Sequence, residues 1–212
     1  MERVICIAIG YLFGLFQSGY LYGKTKNMDI RQYGSGNAGS TNVLRVLGIK
    51  AGAMVFLGDF FKAVLALTLV RFLFSDAMMG KDLLAMYAGL GVTLGHNFPF
   101  YLGFKGGKGI ASMSGIFTAM DIRIAVVCLL IFSATVALTR YVSLGSILIS
   151  MAFCGMLIFF GSQGCYAVAP ENLTELYVLV TILMCMAIWR HRANIRRLLS
   201  GTENKVGSKK KA

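Results

Sequence analysis

Three short stretches of this 212-residue chain gather residue types that bind anions. The first is Tyr33-Gly-Ser-Gly-Asn-Ala-Gly-Ser-Thr-Asn-Val-Leu-Arg45. Gly34, Gly36 and Gly39 free the backbone to turn N–H groups toward one point. Ser35, Asn37, Ser40, Thr41 and Asn42 add neutral donors, and Arg45 adds a fixed charge suited to phosphate. The glycines also match GxGxxG, with Asp59 20 residues past the last of them. That fingerprint has meaning only between the strand and helix of a βαβ unit, whereas here it follows an apolar run of membrane-span length, so a dinucleotide fold is rejected. A flexible turn at a helix start is the reading without chemistry.

The second stretch is Gly95-His96-Asn97-Phe98-Pro99, running on to Phe104-Lys105-Gly106-Gly107-Lys108-Gly109. It fails as a P-loop, because only three residues separate Gly103 from Gly107-Lys108 and no Ser or Thr follows the lysine. Gly106, Gly107 and Gly109 at a helix start can still present backbone N–H groups to an anion, joined by Lys105 and Lys108. His96 stands beside them as a candidate proton acceptor. The third stretch runs from Trp189 to Glu203. His191, Asn194 and Leu198 share one helical face, and Gly201 reads as a helix cap, so the last span continues as a helix beyond the membrane surface and its polar face can close a site. Arg190, Arg192, Arg196 and Arg197 read as a snorkelling basic helix end. Thr139-Arg-Tyr-Val-Ser143 adds one more hydroxyl cluster.

The elements that must position these residues are membrane helices. The chain is 57% hydrophobic and 14% charged, against roughly 45–50% and 25% for a soluble domain. Charges leave uncharged runs at 4–23, 83–104, 141–170 and 176–189. The sequence predicts an all-α integral membrane protein of about seven transmembrane helices, near 4–23, 51–70, 83–100, 110–120, 124–139, 144–161 and 174–190. The fourth and fifth are short, with Asp121 and Arg123 between them, so five spans with a re-entrant hairpin is the alternative. Residues 1–200 form one multi-span domain, and 201–212 a basic cytoplasmic tail. The start reads as a retained first span. With the N-terminus outside and the C-terminus cytoplasmic, inside loops hold sixteen basic residues and outside loops four, as the positive-inside rule requires. All three stretches then face the cytoplasm.

The net charge of +12 therefore points to anionic membrane lipids and phosphorylated substrates, not to nucleic acid. The five cysteines show no CxxC spacing and read as small hydrophobes. Glycine pairs at Gly10/Gly14, Gly48/Gly52 and Gly91/Gly95 have the spacing that lets membrane helices approach closely. Asp59 and Lys62 lie one turn apart inside the second span, where an intrahelical pair neutralises both; a proton or ion relay is the alternative. Acidic residues are too scattered to hold magnesium, so no metal and no cofactor is expected.

Taken together, GSGNAGSTNVLR, GHNFPFYLGFKGGKGIAS, HRANIRRLLSGTE and TRYVSLGSI resemble the signatures of the bacterial acyl-phosphate-dependent glycerol-3-phosphate acyltransferases. Departures are small: Ala38 and Ser40 replace a bulkier apolar residue and Ala, and Ala63 follows Lys62 where Gly is usual. The resemblance implies transfer of a fatty acyl group from acyl phosphate to the 1-hydroxyl of glycerol 3-phosphate. It also implies catalytic roles for Ser35, His96, Lys108, Ser143, His191 and Asn194. Phosphate binding would fall to the residues of the two glycine loops named above. An acyl phosphate is already activated, which removes the need for a covalent nucleophile. No carboxylate stands beside either histidine in the sequence, so the departing phosphate is favoured over His96 as proton acceptor. The sequence identifies no protein partner. A small membrane transporter of organic phosphates or phospholipids is the rival, disfavoured because the polar clusters lie at one face and not at mid-span.

Overall fold

Helices follow from the long apolar runs, and the breaks between them follow from particular residues. The computed structural model describes residues 1–207, and among them there are ten α-helices and no strand. α1 (Glu2–Gly14) and α2 (Ser18–Lys24) form one apolar rod interrupted at residues 15–17. α3 (Ser40–Leu47) meets α4 (Ile49–Leu73) at Gly48, whose φ of +88° turns the chain sharply. α5 (Lys81–Asn97) is followed by a loop with a 3-10 turn at Phe100–Leu102. α6 (Ile110–Met120) and α7 (Ile122–Thr139) are separated by Asp121, which caps α7 by accepting the N–H of Arg123 at 2.9 Å. α8 (Val142–Ser162), α9 (Leu173–Arg190) and α10 (Arg192–Leu199) complete the chain, with His191 at the last break.

Among the described residues, five stretches are long and apolar enough to cross a membrane: Glu2–Lys24, Ile49–Leu73, Ile122–Thr139, Val142–Ser162 and Pro170–Arg190. The spans expected over 83–100 and 110–120 are shorter helices. α5 stops at Asn97, two residues before Pro99, and α6 with 11 residues rises about 16 Å against roughly 30 Å of hydrocarbon.

Polar contacts gather at two opposite ends of the bundle. At one, Arg3 pairs with Glu175 at 2.7 Å, Arg71 with Asp82 at 2.8 Å, and Asp82 accepts the Ala167 N–H at 2.8 Å. At the other, Arg31 reaches Leu102 O at 3.3 Å and Arg190 reaches Gly106 O at 2.9 Å. Every stretch singled out for anion binding lies at this second end. Gly201 (φ +69°) ends α10, and the following segment turns back, with Arg140 donating to Val206 O at 2.7 Å and accepting the Val206 N–H on its own carbonyl at 2.9 Å. The tail lysines 209–211 lie outside the described residues.

Two of the three glycine pairs lock α1 to α5. A Cβ on Gly10 would sit 2.0 Å from Ala88 O, one on Gly91 2.2 Å from Ile7 O, and one on Gly95 2.3 Å from Tyr11 O. Backbones this close leave no room for a methyl group, and dispersion between them replaces a hydrophobic driving force that lipid cannot supply. Gly10→Val should therefore lower the Tm of the detergent-purified protein by roughly 2–12 °C, the equivalent of about 1–3 kcal/mol of overpacking in a chain of this size. Gly155→Val, whose Cβ meets open space, should leave the Tm unchanged.

Candidate active site

A cavity of about 510 Å³ opens at the second end, where three helices begin. The N-termini of α3 (Ser40, Thr41), α6 (Ile110, Ala111) and α8 (Val142, Ser143) all line it, so each aims unpaired backbone N–H groups and the positive end of its dipole inward. Arg45, Lys108 and Arg197 add cations. The opposite wall is apolar, formed along one face of α4 by Ile49, Gly52, Ala53, Phe56 and Leu57 and completed by Phe132.

Of the residues expected from sequence, Ser35, Asn37, Gly39, Thr41, Asn42, Arg45, His96, Lys108, Gly109, Ser143, His191 and Asn194 border this cavity. Gly34, Gly36, Lys105, Gly106 and Gly107 do not line it. Gly34 and Gly36 instead shape the loop through positive φ, +62° and +74°. Asn42 is buried and acts as the loop's internal staple: its Oδ1 accepts the Ser35 N–H at 2.7 Å, and its Nδ2 lies within 3.1 Å of the Ile30, Tyr33 and Asn37 carbonyls. Its amide is engaged by the chain, leaving Ser35 and Thr41 to face the cavity.

The second loop departs from the expected anion cradle. The N–H groups of Gly106 and Gly107 donate to Asn97 O (3.2 Å) and His96 O (3.1 Å), so they cap the end of α5 and are not free for phosphate. Their small size is what the fold uses. A Cβ on Gly106 would lie 2.0 Å from His96 O, and one on Gly107 2.2 Å from His96 Nε2. Their carbonyls accept from Arg190, at 2.9 Å for Gly106 O and 3.1 Å for Gly107 O. Arg190 thus turns inward and does not snorkel. Lys105 is exposed. The free N–H groups lie one step later, at the start of α6, where Gly109 adopts φ +84°.

Lys108 is half-buried, and burial pushes its ammonium down to about 8 while the Glu203 carboxylate pulls the other way. Its Nζ donates to Asn194 Oδ1. Asn194 Nδ2 donates to Glu203 Oε1 at 2.7 Å, Ser143 Oγ to the same oxygen at 3.1 Å, and Arg197 Nε to Glu203 Oε2 at 2.7 Å. Glu203 is thus the hub joining Asn194 and Ser143 directly and Lys108 through Asn194, and Arg197 borders the cavity with its guanidinium on Glu203. The sequence signal was present: Glu203 is the one acid after Glu175, in a segment crowded with arginines. His191 Nδ1 lies 2.8 Å from Ala187 O. A carbonyl only accepts, so the proton sits on Nδ1 and Nε2 is left as an acceptor. Burial, reinforced by Lys108, pushes its imidazole down to about 4, so the ring is neutral at pH 7.

His96 is buried and meets a carboxylate that its sequence neighbourhood lacks. Asp59 Oδ1 lies 3.6 Å from its Nδ1, and Lys62 Nζ lies 2.9 Å from the same nitrogen. The Asp59–Lys62 pair itself forms as expected, at 2.8 Å. Asn97, next in the chain, has both amide atoms buried without a partner among the described residues, and Asp59 touches the cavity wall.

The sequence model of a family described as glycerol-3-phosphate acyltransferase matches residues 4–201. The glycerol-3-phosphate acyltransferase of Thermoanaerobacter sp. (strain X514) is 42% identical over 99% of this chain and 98% of its own. That of Clostridioides difficile (strain 630) is 43% identical over 98% and 97%. The crystal structure of PlsY (YgiH), an integral membrane glycerol 3-phosphate acyltransferase in its glycerol 3-phosphate form, superposes with a TM-score of 0.85 at 33% identity. The alignment covers 98% of this chain and 96% of that one. Its lysophosphatidic acid form superposes at 0.83 with 32% identity.

Because a methyl at residue 107 would strike an imidazole held in a buried polar cluster, Gly107→Ala should lower both activity and Tm, the latter by roughly 2–12 °C. Gly39→Ala, where the new methyl meets nothing within 4 Å, should leave Tm unchanged. Equal Tm values for the two variants would show that the fold does not depend on the small size of residue 107.

Proposed function

Because the chain belongs to the glycerol-3-phosphate acyltransferase family, we propose that it moves a fatty acyl group from acyl phosphate to the 1-hydroxyl of glycerol 3-phosphate. The products are 1-acyl-glycerol 3-phosphate and inorganic phosphate. The observation that carries this reading is the division of one cavity into a cationic half ringed by three helix N-termini and an apolar half along α4. Such a space suits a phosphate joined to an alkyl chain.

In the reaction the hydroxyl oxygen bonds to the acyl carbonyl carbon, the bond from that carbon to the phosphate oxygen breaks, and the hydroxyl proton leaves on phosphate. The donor is a mixed anhydride, so the protein's tasks are to hold two phosphates, orient the hydroxyl and stabilise the carbonyl oxygen as charge develops. Arg45, Lys108 and the start of α6 bind phosphate. Ser35, Ser143 and Asn194 orient the glycerol, and neutral His191 accepts a hydrogen bond on Nε2. No cofactor enters. The site faces the cytoplasm of a bacterial plasma membrane. The chain crosses seven times, with α5 and α6 as its short members, and membrane lipids cover its apolar outer faces.

The purified protein, given acyl phosphate and glycerol 3-phosphate, should release phosphate together with the lipid product, and should not turn over acyl-CoA. Turnover of acyl-CoA alone would overturn the choice of donor. Arg45→Lys should raise the apparent KM for one of the two substrates about ten- to a hundredfold, since an ammonium does not replace a bidentate guanidinium and a charge-assisted contact is worth roughly 1.5–3 kcal/mol. Lys108→Arg should do so for the other. Wild-type behaviour of both variants with both substrates would disprove the phosphate site.

Orientation is tested separately. In a background without reactive cysteines, a membrane-impermeant thiol reagent added to intact cells should label a cysteine placed at residue 171 and miss one placed at residue 36. The reverse pattern would put the site outside.

A further inference from the structure

Two charged residues of α4 sit against His96, at a depth where the proposed chemistry gives them nothing to do. Asp59, Lys62 and His96 are each at most 5% exposed. Lys62 Nζ lies 2.8 Å from Asp59 Oδ1, 2.6 Å from Phe16 O and 2.9 Å from His96 Nδ1. Asp59 Oδ1 also accepts from Ser18 Oγ at 2.9 Å, which fixes the carboxylate from the opposite side.

An ammonium has three hydrogens and no lone pair. Two go to Asp59 Oδ1 at 2.8 Å and the Phe16 carbonyl at 2.6 Å; of the two remaining neighbours, His96 Nδ1 at 2.9 Å is much nearer than the Gly14 carbonyl at 3.4 Å, so the third goes to His96 Nδ1, which accepts it. A ring nitrogen that accepts carries no proton, so the imidazole proton is on Nε2. That nitrogen faces Gly107, against which a Cβ would stand 2.2 Å away, and His96 borders the cavity. Turning the ring over would set a C–H against the ammonium, and the N–H of Gly107 holds the residue's own carbonyl at 3.1 Å.

We infer that Lys62, anchored by Asp59, is a positioning residue of the reaction: it holds Nδ1 of His96 as an acceptor, so that the ring stays neutral and presents Nε2–H to the cavity as a hydrogen-bond donor. The natural target is an oxygen that gains negative charge during acyl transfer. His96 then cannot take the hydroxyl proton through the nitrogen that faces the substrates. The catalytic consequence rests on the acyltransferase reading, whereas the tautomer does not depend on any substrate.

The test begins with nitrogen NMR of the full chain in detergent, labelled at histidine and assigned by difference from His96→Gln. Wild-type His96 should show a pyridine-type Nδ1 and a pyrrole-type Nε2. The double variant Asp59→Asn/Lys62→Met, which removes the charges together, should lose that preference and turn over about ten- to a hundredfold more slowly, with little change in the KM for glycerol 3-phosphate. His96→Gln keeps an N–H near the position of Nε2 and should retain more activity than His96→Asn, which does not. A protonated Nδ1 in the wild type overturns the inference whether or not any variant folds. So does a double variant that shifts the tautomer but keeps wild-type turnover, or equal inactivity of folded His96→Gln and His96→Asn. If the wild type turns over no acyl donor at all, the acyltransferase reading fails and the nitrogen shifts still decide the tautomer.

Discussion

An ammonium inside a helix bundle needs an acceptor for each of its hydrogens, and the helices around Lys62 are arranged to supply them. The interruption at residues 15–17 removes helical partners from carbonyls of the first rod, and one of them, Phe16 O, receives Lys62 at 2.6 Å. Asp59, one turn earlier on α4, supplies the compensating charge. The end of α5 supplies an imidazole. Straightening the first helix would withdraw an acceptor from Lys62, and with it the group that faces His96.

That meeting depends on how closely α1 approaches α5. Gly10, Gly14, Gly91 and Gly95 bring the two backbones into direct contact, which sets the end of α5 beside the break in the first rod. Gln17 closes the junction: it is fully buried, and its Nε2 lies within 3.2 Å of the Gly14, Gly95 and His96 carbonyls. Small residues and a single amide thus position a charged cluster whose side chains are almost fully buried, where misplaced polar atoms are costly.

From this floor the cavity grades into two environments. Toward the helix N-termini it offers cations and unpaired N–H groups, and toward α4 it offers aliphatic and aromatic carbon. Cations gathered around one pocket repel one another. Glu203 offsets this repulsion, lying against Arg197, Ser143 and Asn194 and drawing the proton back onto Lys108 against the effect of burial. The same carboxylate ties the segment after α10 to the start of α8 through Ser143.

Residue type and spacing along the chain determined the class of the protein. Long uncharged runs must become helices in lipid, because hydrocarbon offers the backbone no other hydrogen-bond partner. Type and spacing also placed Ser35, Arg45 and Lys108 in loops suited to anions, set His191 and Asn194 on one polar helix face, and paired Asp59 with Lys62, since three residues along a helix is one turn. What could not be read there is which helix ends meet. Lys62 and His96 are 34 residues apart and in contact. The amides of Gly106 and Gly107 are free or capped depending on where the last turn of α5 lies, and Arg190 snorkels or turns inward depending on whether a loop carbonyl is within reach. A side chain's chemistry belongs to its type, but the partner that directs this chemistry is set by packing between segments distant in sequence, and only the tertiary structure decides that.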